Sequence, residues 1–491
     1  MKKHLTVLRL FCFLLASLMM LAILAGCQND GDKEATDPAD KGTQATQVAT
    51  DKDGYVLDPI HFTLDREMSI LISEQLKTQI TADERGEDVI NNALYDRWQT
   101  VEERLNIEIN LNTKDGLWNA NRTAFFQQVK STSDSGDAYD ALCVYNLYPG
   151  AMASMGYLEN LTAGKHLDLT APWWPQVYVD QLLLEDTLYG AVENSAKGTL
   201  RNLHGVFFNN DLLEENKLKS PYDYVEENIW TFDNMMALIK DTYQDLNSDG
   251  KKDSKDYFGL LTGTEAKIET WYFSMGYRYT EKDVNGEPQL VINSNAGEFI
   301  DRIVEASGTD DFYLVDTSHG LAFKEERAIL YQTSIQLIES NAKNWEINYG
   351  VVPVPKGSLD QEKYISNVAN THDAWCVPLN AQSLDDSTAM IEVMASQSYR
   401  QIAPVYFETC IKLRYAPDER LADMYDLIRD SITFDFCQIY SLAFDNGKDP
   451  RSLVTACVKN PTGLSWSSQW ASNGAPVEAG FDKILEIYGL A

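Results

Sequence analysis

Short apolar runs alternate along this chain with stretches whose apolar positions recur at helical spacing. Residues 68–73 form a β-like run, and Val89, Ala93, Tyr95, Trp98, Val101 and Leu105 follow at roughly helical intervals. Residues 107–111 alternate like a strand, and Phe125, Phe126 and Val129 mark a second helix. Residues 139–145 (YDALCVY) then form a nearly continuous apolar run, the signature of a strand covered on both faces of a parallel sheet. Further runs stand at 206–208, 258–261, 328–331 and 349–352. Phe232, Met235, Met236, Ile239 and Tyr243 predict a helix that begins after Thr231 as N-cap, with Asp233 favouring its positive end. This β-α-β alternation predicts open α/β sheets with helices on both faces.

The first 26 residues read as an address. Lys2, Lys3 and Arg9 precede an apolar run from Leu10 to Ala25, about 16 residues and short for a spanning helix. The run ends in Leu24-Ala25-Gly26-Cys27, which resembles a bacterial lipobox: Cys27 would take a diacylglyceryl group on sulfur and become the mature N-terminus. An ordinary signal peptide or a short anchor helix is the alternative. Two or three acyl chains of the palmitate type anchor a protein far more firmly than one. Gln28 to Gly54 has no aromatic residue and one valine, too little apolar surface to order itself. As a flexible tether its 27 residues reach roughly 30 Å, so the folded part would stand outside the membrane on a lipid anchor.

Composition narrows the class. At 491 residues, 44% hydrophobic and 23% charged, the chain is long enough for two or three domains with sizeable cores. Its 41 Lys and Arg against 74 Asp and Glu give a formal charge of −33, which repels phosphate backbones and argues against nucleic acid as a partner. Beyond Cys12 and Cys27, the cysteines are Cys143, Cys376, Cys410, Cys437 and Cys457, with no CxxC spacing. They read as small core residues, and paired-thiolate zinc is not supported.

The sharpest local motif runs from Asp245 to Asp256. Asp245, Asn247, Asp249, Asp253 and Asp256 place oxygen side chains at positions 1, 3, 5, 9 and 12 of an EF-type calcium loop. Gly250 stands at position 6, where the turn is tight, and Lys251 at position 7 would contribute its backbone carbonyl. The loop predicts a structural Ca²⁺, with a solvated turn as the alternative.

Several segments together resemble an extracellular solute-binding lipoprotein of an ABC importer, of the maltodextrin-binding type (family 1) found in Gram-positive organisms. They are Thr187-Leu-Tyr-Gly-Ala-Val192 followed by residues 205–213, Trp230-Thr231-Phe232-Asp233, residues 323–330 (FKEERAIL), and Asn348-Tyr-Gly-Val-Val-Pro-Val-Pro355. The calcium-like loop before Tyr257 is similar to one in many such proteins. The resemblance implies an α/β, two-lobed periplasmic-binding-protein-like (type II) fold with the ligand between lobes joined by crossing strands. It maps lobe 1 to about 59–170 plus 319–357 and lobe 2 to about 171–318 plus 358–491. It also implies a monomer whose partners are a small-molecule ligand, an oligosaccharide above all, and the membrane subunits of a permease.

Sugars present hydroxyl edges and apolar faces, so a site needs aromatic plates beside carboxylates and amides. Ligands of open α/β sheets lie beyond the carboxyl ends of the strands, which singles out Tyr145 and Tyr148. Trp173 and Trp174 stand near the first lobe crossing and Asp373 and Trp375 near another. Glu265, Trp271 and Tyr272 lie where the resemblance places a binding loop of lobe 2, and Trp470, beside Trp466, offers a plate near the C-terminus. Each aromatic residue has a packing role as its alternative. After residue 331 the family often offers a tryptophan where Ser334-Ile335-Gln336 stand here, which points away from a long linear maltodextrin.

No catalytic motif competes: G-x-S-x-G, H-E-x-x-H, Walker A and Gly-rich dinucleotide loops are absent, and no two histidines have metal spacing. A glycosidase carboxylate pair is not excluded by counting alone. The reading is therefore a non-enzymatic capture subunit of an importer, with a carbohydrate sensor or adhesion lipoprotein as the second class.

Overall fold

A computed structural model describes residues 50–51, 54–264, 266–315, 321–337, 347–407, 419–444 and 448–490, all within the compact unit Val48–Ala491. Cys27, its apolar leader and Glu265 lie outside the described residues. Two mixed sheets organise the unit. The first has the order β12-β3-β1-β2, from β1 (Arg66–Ser73), β2 (Ile107–Lys114), β3 (Ala141–Tyr145) and β12 (Asp373–Cys376). The second has the order β10-β4-β9-β5-β8, from β4 (His204–Asn209), β5 (Phe258–Gly263), β8 (Phe312–Val315), β9 (Ala328–Ser334) and β10 (Tyr349–Pro353). Two small ladders complete the set, β6 (Thr280–Lys282) with β7 (Pro288–Leu290) and β11 (Ser366–Asn367) with β13 (Ile432–Thr433). β1 is parallel to β2 and to β3, as the apolar run at 139–145 predicts, and β5 is parallel to β8 and β9. β12 and β4 are antiparallel to their neighbours because each enters its sheet directly from a lobe crossing.

The main helices are α1 (Val89–Leu105), α2 (Trp118–Ser135), α3 (Tyr148–Ser154), α4 (Lys197–Arg201), α5 (Ala266–Ser274), α6 (Ile292–Ser307), α7 (Leu384–Gln397), α8 (Glu419–Asp430), α9 (Pro450–Lys459) and α10 (Trp466–Glu486). α1 starts where the Asp88 carboxylate accepts the amides of Ile90 and Asn91, and it ends at Asn106 in the left-handed region. It buries Leu94, Trp98, Val101 and Leu105. Among the described residues no helix is long and apolar enough to cross a membrane.

The lobe boundaries need correction. Residues 328–334 and 349–353, mapped to the first lobe, pair into the second sheet, and residues 373–376, mapped to the second, pair with β3 in the first. α7 packs on α1, whereas α8 packs on β10. The first lobe thus takes its strands from the beginning of the unit and from 373–376, and the second takes its strands from the stretch between. Apolar runs locate strands but carry no label for their sheet. The helix after Thr231 is also shorter than its periodicity, ending at Leu238. The Asp311 carboxylate explains this: it accepts the amides of Asp241, Thr242 and Tyr243 at 2.7–2.9 Å and diverts them from the helix ladder.

Candidate functional site

The aromatic candidates lie mostly inside the fold. Trp173 and Trp174 are buried, and their indole N–H groups donate to the two oxygens of Glu392, at 3.0 and 3.1 Å. Trp375 donates to Glu193 at 2.6 Å, and Trp271 to Thr262 at 3.1 Å. Tyr272 is packed between Tyr279 and Phe299 and donates to the Arg278 carbonyl. Tyr148 lies edge-on to Phe126, and its hydroxyl donates to the Gly116 carbonyl. These rings are hydrogen-bonded core pieces, not open stacking plates. Their partners are buried acids and carbonyls distant in sequence, which local pattern does not show.

What gathers at the carboxyl edge of the first sheet is polar. Tyr145 ends β3 with its ring 5.4 Å from that of Tyr148, and burial pushes its hydroxyl up to about 12. Asn146 follows, fully buried, with both side-chain amide atoms lacking a hydrogen-bond partner. Asp373 pairs across with Tyr145, and its Oδ1 is likewise buried and unpartnered. Burial, reinforced by the Glu193 carboxylate, raises Asp373 to about 7. Arg97 stands 3.5 Å from Glu193 and bonds Ser398. Asn146 and Glu193 are not aromatic and so carry no plate signal in the sequence, although a polar residue directly after a buried strand, as Asn146 is, is itself a signal.

Two lobe crossings are laced together here. Asn202 accepts from Ala369 N and from the Thr371 hydroxyl, and Lys197 reaches the Thr78 carbonyl at 3.3 Å. Gly198 lies so close to Asp373 that an added Cβ would fall 1.9 Å from Oδ1. On the second sheet a buried chain runs from Trp271 through Thr262 and Gln332 to His204.

α9 and α10 pack on α6, which lies between β5 and β8 in the chain and so belongs to the second lobe, and a cavity of about 1030 Å³ opens between them and α3 of the first lobe. Arg122 of α2 and Ala151, Ser154 and Met155 at α3 line one side. Residues 441–444, the start of α9 and the end of α10 line the other. None of the sequence candidates lines it. Trp470 is half-buried, its ring tilted 33° against that of Trp466 at 5.5 Å, about 20 Å along α10 from the cavity end of that helix.

The acidic loop keeps its turn. Gly250 has φ +70°, as position 6 requires, and its amide donates to Asp245 Oδ2 at 2.9 Å. Asn247 and Asp249 accept backbone amides at 3.0 and 2.9 Å, and Asp256 accepts from Asp253 N and the Tyr243 hydroxyl. Among the described residues no three His, Cys, Asp or Glu side chains converge as a ready metal cluster. The loop does keep two buried carboxylate oxygens without a hydrogen-bond partner, Asp245 Oδ1 and Asp256 Oδ1, at positions 1 and 12. These two unpartnered oxygens are the feature of the loop that fits a cation.

Neither a protein-family model nor a curated protein sequence matches the chain. Solved structures do. The chain is similar to the GacH receptor of Streptomyces glaucescens, solved unliganded and with acarbose, at 14% identity and TM-score 0.52, over 86% of this chain and 99% of that one. It is also similar to an ABC substrate-binding protein of Listeria monocytogenes solved with cycloalternan, at 14% identity and TM-score 0.51, over 87% and 100%. A cyclo/maltodextrin-binding protein with maltotetraose matches at 11% identity and TM-score 0.53, over 86% and 96%. The fold is the two-lobed, maltose-binding-protein-like α/β fold.

Proposed function

We propose that this chain is the surface-tethered binding subunit of an ABC importer, which captures an oligosaccharide by lobe closure and delivers it to a membrane permease. The observation that carries the reading is the cavity of about 1030 Å³ with one wall from each lobe. Hinge bending of laced crossings would open and shut such a space without disturbing either sheet. Its volume matches a small glycan, and its lining mixes hydroxyls, charges and apolar side chains. The similar proteins solved with acarbose, cycloalternan and maltotetraose support this substrate class. Their being binding proteins supports a non-enzymatic role. The Leu24-Ala25-Gly26-Cys27 box supports a lipid anchor at the outer face of the cell membrane. A Cys27→Ala chain that still carries diacylglyceryl in a mass spectrum would exclude that anchor.

Thermal melting of a soluble chain starting at Tyr55, against mono- and oligosaccharides, polyols, amino acids and peptides, tests capture. A ligand at 100 times its Kd stabilises by about 2.7 kcal/mol, enough to raise the midpoint by a degree or more. The glycan should be recovered intact; turnover would favour a hydrolase, and silence across the panel would remove the capture reading. In the same melts EDTA should lower the midpoint and calcium restore it, because Asp245, Asn247, Asp249, Asp253, Asp256 and the Lys251 carbonyl would lose their ion. An EDTA-insensitive midpoint rules out structural Ca²⁺.

A further inference from the structure

Basic side chains are scarce in this chain, and acids take nearly all its arginines. Arg66, Arg85, Arg97, Arg104, Arg302, Arg327, Arg400, Arg420, Arg429 and Arg451 each have a carboxylate within 4.0 Å. Arg278 donates to the carbonyls of Phe273 and Tyr277, and Arg201 is also partnered. Among the described residues Arg122 is the arginine whose guanidinium has neither an ion pair nor a hydrogen bond. It is half-buried, and it lines the inter-lobe cavity. With 74 acids against 41 bases, a guanidinium left unpaired at the edge of this cleft is open to a partner from outside the chain.

The other charged groups of the lining do not meet that need. Asp449 spends its oxygens on capping α9, accepting the Ser452 amide at 3.1 Å and the Ser452 hydroxyl at 2.5 Å. Lys483 and Glu486 lie on the exposed rim at the end of α10. Inside, Ser441 offers a hydroxyl and Phe444 an apolar face, the complement of a sugar ring.

We propose that the captured glycan is an acidic oligosaccharide whose carboxylate pairs with Arg122. This rests on the importer reading and names its substrate class. A guanidinium fork matches a carboxylate in two parallel N–H···O bonds, and a half-buried site shields the pair from solvent. The overall charge of −33 disfavours an anionic ligand at long range. Selection therefore depends on that one contact.

The test is calorimetric titration at fixed calcium with trigalacturonate, its carboxyl-reduced neutral form and maltotriose, on the native chain and on Arg122→Gln. The native chain should bind trigalacturonate, and Arg122→Gln should weaken it about 10- to 100-fold while leaving any affinity for the neutral trisaccharides unchanged. Raised salt should weaken the native complex more than that of the variant. Binding of neutral sugars with no preference for the acid, or equal affinity for the acid in both proteins, overturns the acidic-glycan proposal and leaves the importer reading standing. If none of the three sugars binds the native chain, this proposal falls; the importer reading is judged by the wider melting panel. A circular-dichroism melt of Arg122→Gln that matches the native one shows that the loss is one of contact.

Discussion

Gly198→Val is expected to lower the unfolding free energy by about 3 kcal/mol, read as an earlier urea midpoint with an unchanged slope. Position 198 lies in the short helix α4 of the first lobe crossing. A Cβ there would stand 1.9 Å from Asp373 Oδ1 and 2.8 Å from Gln79 Oε1. Both atoms are buried, and Asp373 is held in the first sheet by its pairing with Tyr145, so it has nowhere to swing. The crossing must lift instead. The pair can be checked by double mutation. Asp373→Ala empties the space that the valine needs and removes a buried carboxylate that has gained no partner for one oxygen. In the double variant about 1–3 kcal/mol of the valine penalty should therefore return. Strict additivity would mean that the clash is relieved elsewhere.

The second large effect is one of pH. Burial disfavours the charge of five buried acids: it raises Asp435 and Asp449, and it takes Glu269 to about 7 despite Arg451, Asp373 to about 7, and Glu392 to about 8 despite the two indole N–H donors. In the unfolded chain each would titrate near 4. Between those values the folded state binds more protons, so stability is greatest at low pH and is lost as pH rises through 7 to 8. Two buried histidines act in the opposite direction at lower pH, because burial pulls His372 down to about 4 and depresses His204 as well. Above pH 6.5 the acids act alone. Urea unfolding should show a loss of about 3 kcal/mol between pH 6.5 and 8.5, with the largest share from Glu392. Glu392→Gln should flatten the curve markedly. A flat profile in the native chain would place these acids in contact with water.

The strands were readable because burial on both faces leaves a run such as Ala141–Tyr145, all apolar. The cap at Thr231 lies within a few residues of the amide that it binds, so local spacing finds it. What remained hidden acts over long separations. Asp311 stops a helix that begins at Phe232, and Glu392 captures the indoles of Trp173 and Trp174. A tryptophan with a distant buried acid has the same local surroundings in sequence as one waiting for a sugar. The lobe mapping failed for the same reason, since β12 reaches β3 across the whole second sheet. The candidate cavity was hidden further: Arg122 stands out only once the partners of the other arginines are known.

The pairing of β12 with β3 joins Asp373 to Tyr145 and so closes a loop of roughly 230 residues. Until the chain has been made as far as Cys376, the first sheet has an uncovered edge at β3, and the strands between belong to another layer. Such distant closure makes folding slow, because the loop entropy must be overcome before the contact is gained. Under the surface-tethered reading proposed above, slow closure would be an advantage, since a polypeptide whose last edge strand is still missing stays extended and threadable. The same feature means that neither lobe can be excised as one continuous piece.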